Sequence, residues 1–368
     1  GKPVNYTYNA DNLVFNGVDF TIYGQVIFAY SRNITVSNSN FSDDSLNLFY
    51  TNTSTISNNY INASKGYGIW LLGLSNYNNI SNNLISNSVT SLTSRRGYSD
   101  MEGISLSTSA LNYITNNTIT LSGYSSYGIL LYSGSNSNTF YNNSITTYGN
   151  YGNGITLWST PNSNIFSNNT ITTFGSWAFG IHLWSYGVDN SSFSGMNIKT
   201  YNSSSYALYL DNANYNFTIR DSILNSSYAG VKELYLKNSL TGGIFNFTNV
   251  TRSDGTPINI SWSNGANGTM YYNWYLDVNV STVGSPNVNI SGWDANNALV
   301  FSQNRTGSGL INRQTLNEFI MNNSASGTNQ TTYYTPHTIN SSVTGDATCW
   351  SAVDLRASRR RLLNVKMG

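Results

Sequence analysis

Asn142-Asn143-Ser144-Ile145 and then Gly154-Ile155-Thr156-Leu157 are followed, about 26 residues later, by Asn168-Asn169-Thr170-Ile171 and Gly180-Ile181-His182-Leu183. Working outward, the glycine motif recurs at Gly68-Ile69-Trp70-Leu71, Gly103-Ile104-Ser105-Leu106 and Gly128-Ile129-Leu130-Leu131. It continues as Ala207-Leu208-Tyr209-Leu210 and fades at Glu233-Leu234-Tyr235-Leu236. The asparagine motif recurs at Asn58-Asn59-Tyr60-Ile61, Asn82-Asn83-Leu84-Ile85 and Asn116-Asn117-Thr118-Ile119.

Within Ile-x-Leu the apolar residues alternate, so each copy predicts a short strand with one buried face. A unit of about 26 residues with two or three such strands cannot bury that face alone, but stacked copies can. Gly, Ser and Asn supply the turns, and Asn tolerates the left-handed backbone of a sharp corner. Asn side chains at equal positions in successive turns can hydrogen-bond up the stack, which predicts an amide ladder at Asn58, Asn82, Asn116, Asn142 and Asn168. Helical repeats would need a 3.6-residue period, and propeller blades need about 40 residues per unit. The expected fold is therefore all-β: a right-handed parallel β-helix of about ten turns and about 50 Å, followed by a small antiparallel β-sandwich.

The expected division places the β-helix at 1–252, a connector at 253–273 and a sandwich at 274–346. The sandwich rests on short strands about ten residues apart, at 275–280, 288–290, 298–301, 310–311 and 333–339. Residues 347–368 change composition abruptly and become Arg-rich, reading as an end foreign to the fold; the other reading is a basic tail for anionic partners.

Charged residues make up 9% of the chain and the formal net charge is +1, which argues against nucleic acid as a partner. An aromatic content of 14% with regular Ile, Leu and Val argues for a packed core rather than disorder. The one cysteine, Cys349, excludes an intrachain disulfide, and no apolar run is long enough to span a membrane. The chain begins at Gly1 without Met and is read as a mature or excised fragment with its signal peptide upstream. Asn-x-Ser/Thr sequons point to an extracellular location, with acceptors expected at Asn5, Asn33, Asn62, Asn79, Asn190, Asn202, Asn216, Asn225, Asn259, Asn267, Asn289, Asn304 and Asn329. Asn116, Asn142 and Asn168 also begin sequons, so an internal ladder at those positions would bar glycosylation there.

Residues for catalysis are scarce. A glycosidase needs two carboxylates facing one bond. Asp43 and Asp44 are adjacent and would point to opposite sides of an extended chain. Asp100 and Glu102 could share a side, with Arg95 and Arg96, in a stretched loop at 91–102; this reads as a solvated loop or, alternatively, a substrate-binding insertion. His182 and His337 lie in different domains, so no transition-metal cluster is expected, and no Ser/His/Asp arrangement is visible. No catalytic residue, metal or cofactor is assigned. The outward x positions of the glycine motif predict instead an aromatic stripe containing Trp70, Tyr132, Trp158, His182, Trp184 and Tyr209. Such a stripe suits subunit or domain packing, glycan binding, or simple strand preference.

The repeats, together with Gly1-Lys2-Pro3-Val4 and the segment from Gly24-Gln25-Val26-Ile27 to Asn33-Ile34-Thr35-Val36-Ser37-Asn38, resemble the NosD-like right-handed β-helix proteins of archaeal cell surfaces and S-layers. Tyr275-Leu276-Asp277-Val278, Asp294-Ala295-Asn296, Gly309-Leu310-Ile311 and Thr335-Pro336-His337-Thr338-Ile339 resemble an appended transthyretin-like, carboxypeptidase-regulatory-type domain. The resemblance implies a structural, glycosylated surface protein of a layer, sheath or filament, self-assembling or bound to other surface proteins, and not an enzyme. A glycan-binding or adhesion module using the aromatic face is the second reading, and a polysaccharide lyase or hydrolase the third.

Overall fold

A computed structural model describes all residues except 44–45, 65, 88–100, 185–189, 212–215, 238–241, 264, 325–328, 344–348, 354–359 and 367–368. Among the described residues the chain is all β. The glycine motifs form one face of a parallel β-helix, an 11-stranded sheet from Val4–Tyr8 through Gly66–Leu72, Met101–Ser107, Tyr127–Tyr132, Ile155–Trp158 and Ile181–Trp184 to Ile260–Trp262. The asparagine motifs form the corner between two further columns of parallel strands, such as Thr139–Tyr141 and Ser144–Thr147.

Alternation does what the sequence implies. Ile69, Ile104, Ile129, Ile155 and Ile181 pair in register and are wholly buried, as are Leu71, Leu106, Leu131, Leu157 and Leu183. A third column changes from Ile114 to Phe140, Phe166 and Phe193, whose rings stack at 4.6 and 4.7 Å. The glycine that opens each motif is required by close packing: a Cβ on Gly154 would stand 2.2 Å from Ile171 Cγ2 and 2.6 Å from the Gly180 carbonyl oxygen.

The amide ladder runs one residue later than expected. Asn59, Asn83, Asn117, Asn143 and Asn169 are buried, whereas Asn58, Asn82, Asn116, Asn142 and Asn168 are exposed. The first Asn of each pair takes the left-handed corner conformation, with φ of 54 to 57°. That turn swings the second Asn inward, where its amide satisfies backbone groups that the corner removes from sheet pairing. A second internal ladder, not anticipated, joins Asn78, Asn112, Asn138 and Asn164. The sequons at Asn116, Asn142 and Asn168 are therefore on the outside.

The segment 253–273, expected as a connector, is a further coil. Ile260–Trp262 pairs in parallel with Leu234–Leu236, and the first half of Gly268–Ser281 pairs in parallel with Gly243–Thr251. The same long strand then runs on into the C-terminal domain, so the two parts share one backbone element and one apolar core through Tyr272, Trp274 and Phe319. Its outer edge is covered by the antiparallel strand Gln314–Asn323, which the sequence reading missed along with Asn329–Tyr333. Facing it is a four-stranded antiparallel sheet in the order Leu299–Thr306, Asn287–Trp293, His337–Val343, Cys349–Val353. Within 347–368, expected as an end foreign to the fold, the described parts join the sheets: Cys349–Val353 pairs with His337–Val343, and Arg360–Lys366 pairs in parallel with the long strand.

Candidate functional site

The outward face of the 11-stranded sheet carries side chains in columns set by strand register. One column reads Asn47, Trp70, Ser105, Leu130, Thr156, His182, Tyr209 and Tyr235. The next reads Phe49, Leu72, Ser107, Tyr132 and Trp158, with Trp184 stacked on Trp158 at 4.6 Å. Ser105 and Ser107 interrupt both columns on the same coil. Small side chains between large ones leave a cleft of about 670 Å³.

Aromatic rings stand on both sides of this gap. Tyr67 and Trp70 stack at 4.3 Å on one side, and Trp70 is held from below by Phe49 at 5.4 Å. Tyr132 meets Trp158 edge-to-face at 5.7 Å on the other. Tyr132 is 41% exposed and Trp158 36%, so these rings reach solvent from fixed positions. Leu130 and the two serines line the floor, and Glu102 and Tyr127 stand at one wall. Glu102 is 7% exposed. Burial and the Glu102 carboxylate together push the Tyr127 phenol above its ordinary value, so it stays a neutral hydrogen-bonding group.

Of the expected stripe, Trp70, Tyr132, Trp158 and Trp184 come together at the cleft. His182 and Tyr209 do not: they are buried in an adjoining cluster with Phe179, Tyr206 and Tyr235. Asn153 Nδ2 donates to His182 Nδ1 at 3.2 Å, which leaves the ring proton on Nε2. Burial pushes His182 down to about 3, so the imidazole is neutral. His337 is wholly buried in the sandwich and is likewise shifted down by burial.

Tyr67 and Tyr127 were missed, and Glu102, expected in the charged loop 91–102, lies instead on the strand Met101–Ser107 and lines the cleft. Each precedes the motif glycine (Tyr67-Gly68, Glu102-Gly103, Tyr127-Gly128), and that repeated position was the available signal for a third outward column. Arg95, Arg96 and Asp100 of the expected charge cluster lie outside the described residues, as does Asp44. Asp43 forms an ion pair with Lys2 at 2.7 Å and accepts from Ser64 Oγ at 3.2 Å, one coil away from Gly66 and Tyr67 and outside the cleft lining. Among the described residues no three His, Cys, Asp or Glu side chains are grouped to hold a metal, and no helix is long and apolar enough to cross a membrane.

The cleft can offer ring faces and edges, hydroxyls and one carboxylate. Acid–base hydrolysis of a glycosidic bond uses two carboxyl groups. Glu102 is the one acid among the described residues that line the cleft.

Residues 5–171 match the family model described as the right handed beta helix region. Among solved structures, the tailspike protein of E. coli bacteriophage HK620, in complex with pentasaccharide, is similar at 13% identity and a TM-score of 0.43, over 93% of this chain and 74% of that one. A double mutant of the periplasmic alginate epimerase AlgG is similar at 14% identity and a TM-score of 0.35, over 73% of this chain and 70% of that one. No curated protein matches the sequence.

Proposed function

We propose that this chain is a glycan-binding module of an extracellular surface, and that the aromatic cleft on the rod is its binding site. The observation that carries the reading is the cleft where the small side chains of Ser105 and Ser107 lie on the coil between Tyr67 and Trp70 on one side and Tyr132 on the other, so that aromatic rings and hydroxyls line one space. Sugar rings pair apolar C–H faces with hydroxyl rims, so they suit that combination of surfaces. Backbone ladders hold the walls at a fixed spacing, and a preformed site loses little entropy on binding. The extracellular part of the reading is supported by the thirteen sequons named above, none of which begins at a buried asparagine. The module binds without cleaving.

The test is calorimetric titration of the full chain with soluble oligosaccharides, repeated with Trp70→Ala, Trp158→Ala and Ser105→Trp. Each alanine variant is expected to weaken binding at least tenfold, and Ser105→Trp to abolish it by filling the gap. Unchanged binding in all three variants would overturn the assignment, and release of new reducing ends would replace binding with catalysis.

A second role, assembly at the surface, has one specific support. Among the described residues Val4–Tyr8 pairs with Gln25–Ala29 alone, and Val4, Tyr6 and Tyr8 are 53%, 58% and 61% exposed. An uncovered edge strand with apolar side chains can accept another strand. Analytical ultracentrifugation decides it: a monomer at all concentrations would remove this role.

A further inference from the structure

We propose that two copies of this chain join head-to-head through Val4–Tyr8, in antiparallel pairing about a two-fold axis at Tyr6, and that assembly stops at this dimer. This joint rests on the assembly role given above and deepens it to a partner and a geometry.

The direction of the backbone groups carries it. Asn9 N–H donates to the Ala29 carbonyl at 2.9 Å, and the Pro3 carbonyl accepts from Gly24 N–H at 2.8 Å. Pro3, Asn5, Thr7 and Asn9 therefore turn their backbone groups to the neighbouring strand Gln25–Ala29. Alternation turns the N–H and C=O groups of Val4, Tyr6 and Tyr8 to the open side. An antiparallel partner centred on Tyr6 satisfies all of them at once. Tyr6 exchanges both bonds with Tyr6 of the second copy, and Val4 with its Tyr8. The same register sets tyrosine against tyrosine and valine against tyrosine, which are favourable cross-strand pairs. Lys2 and Asp11 flank the segment and are each neutralised within the chain, by Asp43 at 2.7 Å and by Arg32 at 3.0 Å. Two identical ends thus meet without net like charge.

The two ends of the rod differ, which closes the assembly. At the first coil Asn5 and Thr7 stand in register with the buried Val26 and Phe28, so the apolar core ends there and the joint is a strand edge with outward aromatic rings. At the far end Ile260–Trp262 also pairs on one side among the described residues, but it is a partly buried strand of three residues. Trp262 Nε1 donates to Met321 Sδ at 3.0 Å, on the strand Gln314–Asn323. An open-ended stack would need that edge to receive Val4–Tyr8, whereas a two-fold joint uses the first edge twice and leaves nothing to extend. A one-strand joint is small, so the dimer is expected to dissociate on dilution.

The experiment is sedimentation velocity of the full chain, produced without glycosylation because Asn5 begins a sequon at this end. A monomer–dimer equilibrium with no larger species is expected. Tyr6→Pro removes a donor that faces the open side, so it should weaken the dimer at least tenfold and leave the melting curve of dilute monomer unchanged. If that variant fails to fold, cross-linking in a Cys349→Ala background reads the register. Tyr6→Cys should form a covalent dimer with a mild oxidant, since directly opposed residues have Cα atoms about 5.5 Å apart. Val4→Cys lies about 14 Å from its own copy and should link only when mixed with Tyr8→Cys. Species beyond the dimer, or cross-links that depart from this pattern, would overturn the head-to-head joint and leave assembly standing. A monomer at every concentration would overturn both the joint and the assembly role, and neither result bears on the cleft.

Discussion

Asn143 Nδ2 donates to Asn169 Oδ1 at 3.0 Å, and the same oxygen accepts the Asn143 backbone N–H at 2.9 Å. Each internal Asn thus serves its own coil and the next, because Asn143 also donates to the Ile114 carbonyl at 2.8 Å and accepts from the Asn117 N–H at 3.0 Å. Asn143→Ala would remove the acceptor of two buried donors, the Asn117 backbone N–H and the Asn117 Nδ2. The expected loss is about 3 kcal/mol, at about 1–3 kcal/mol per orphaned group, measured as a lowered denaturant midpoint.

Its neighbour behaves differently. Asn142 is exposed with φ of 54°, and what its position demands is the left-handed backbone. Asn142→Gly should stay within about 0.5 kcal/mol of the parent, whereas Asn142→Val should cost about 1–2 kcal/mol. Equal effects at Asn142 and Asn143 would contradict the observed phase of the ladder.

His182 makes stability depend on pH. Its folded value, about 3, lies below the ordinary 6.5, so the unfolded chain binds the extra proton between those limits. The contribution is full above pH 6.5 and is lost progressively as pH falls towards 3. At pH 5 the loss relative to neutral pH is about 2 kcal/mol. Melting curves of wild type and His182→Gln between pH 4 and 7 check it: the wild type should lose more stability on acidification. Parallel slopes would mean that the imidazole is hydrated rather than buried.

Deletion of 347–368 is expected to damage the C-terminal domain specifically. It removes one strand from each sheet, including Val365, which is 4% exposed. Limited proteolysis should then cut within 274–346 while leaving the rod intact, since stacked coils depend mainly on their neighbours. Resistance equal to the full chain would mean that these two strands add nothing to the domain's stability.

Much of the rod was legible in the sequence because the face that each residue takes is set locally. Alternation in Gly-Ile-x-Leu assigns Ile155 and Leu157 inward and Thr156 and Trp158 outward wherever the strand lies, and the period aligns equal positions in neighbouring coils. That was enough to name the fold, the apolar columns and four aromatic residues of the cleft.

What only the tertiary structure decided depends on neighbours that sequence period does not specify. Which Asn of each pair turns inward is settled by the corner, where left-handed Asn142 rotates Asn143 towards buried backbone groups. Trp158 reaches solvent while His182 and Tyr209 do not, because Phe179, Tyr206 and Tyr235 pack over one stretch of an otherwise uniform face. The last coil, the strand Gln314–Asn323 that covers it and the pairing of 347–368 all rest on contacts between distant, non-repeating segments. The cleft itself is a property of adjacent coils: Ser105 and Ser107 leave a recess only because larger side chains, among them Trp70 and Tyr132, stand on the neighbouring coils.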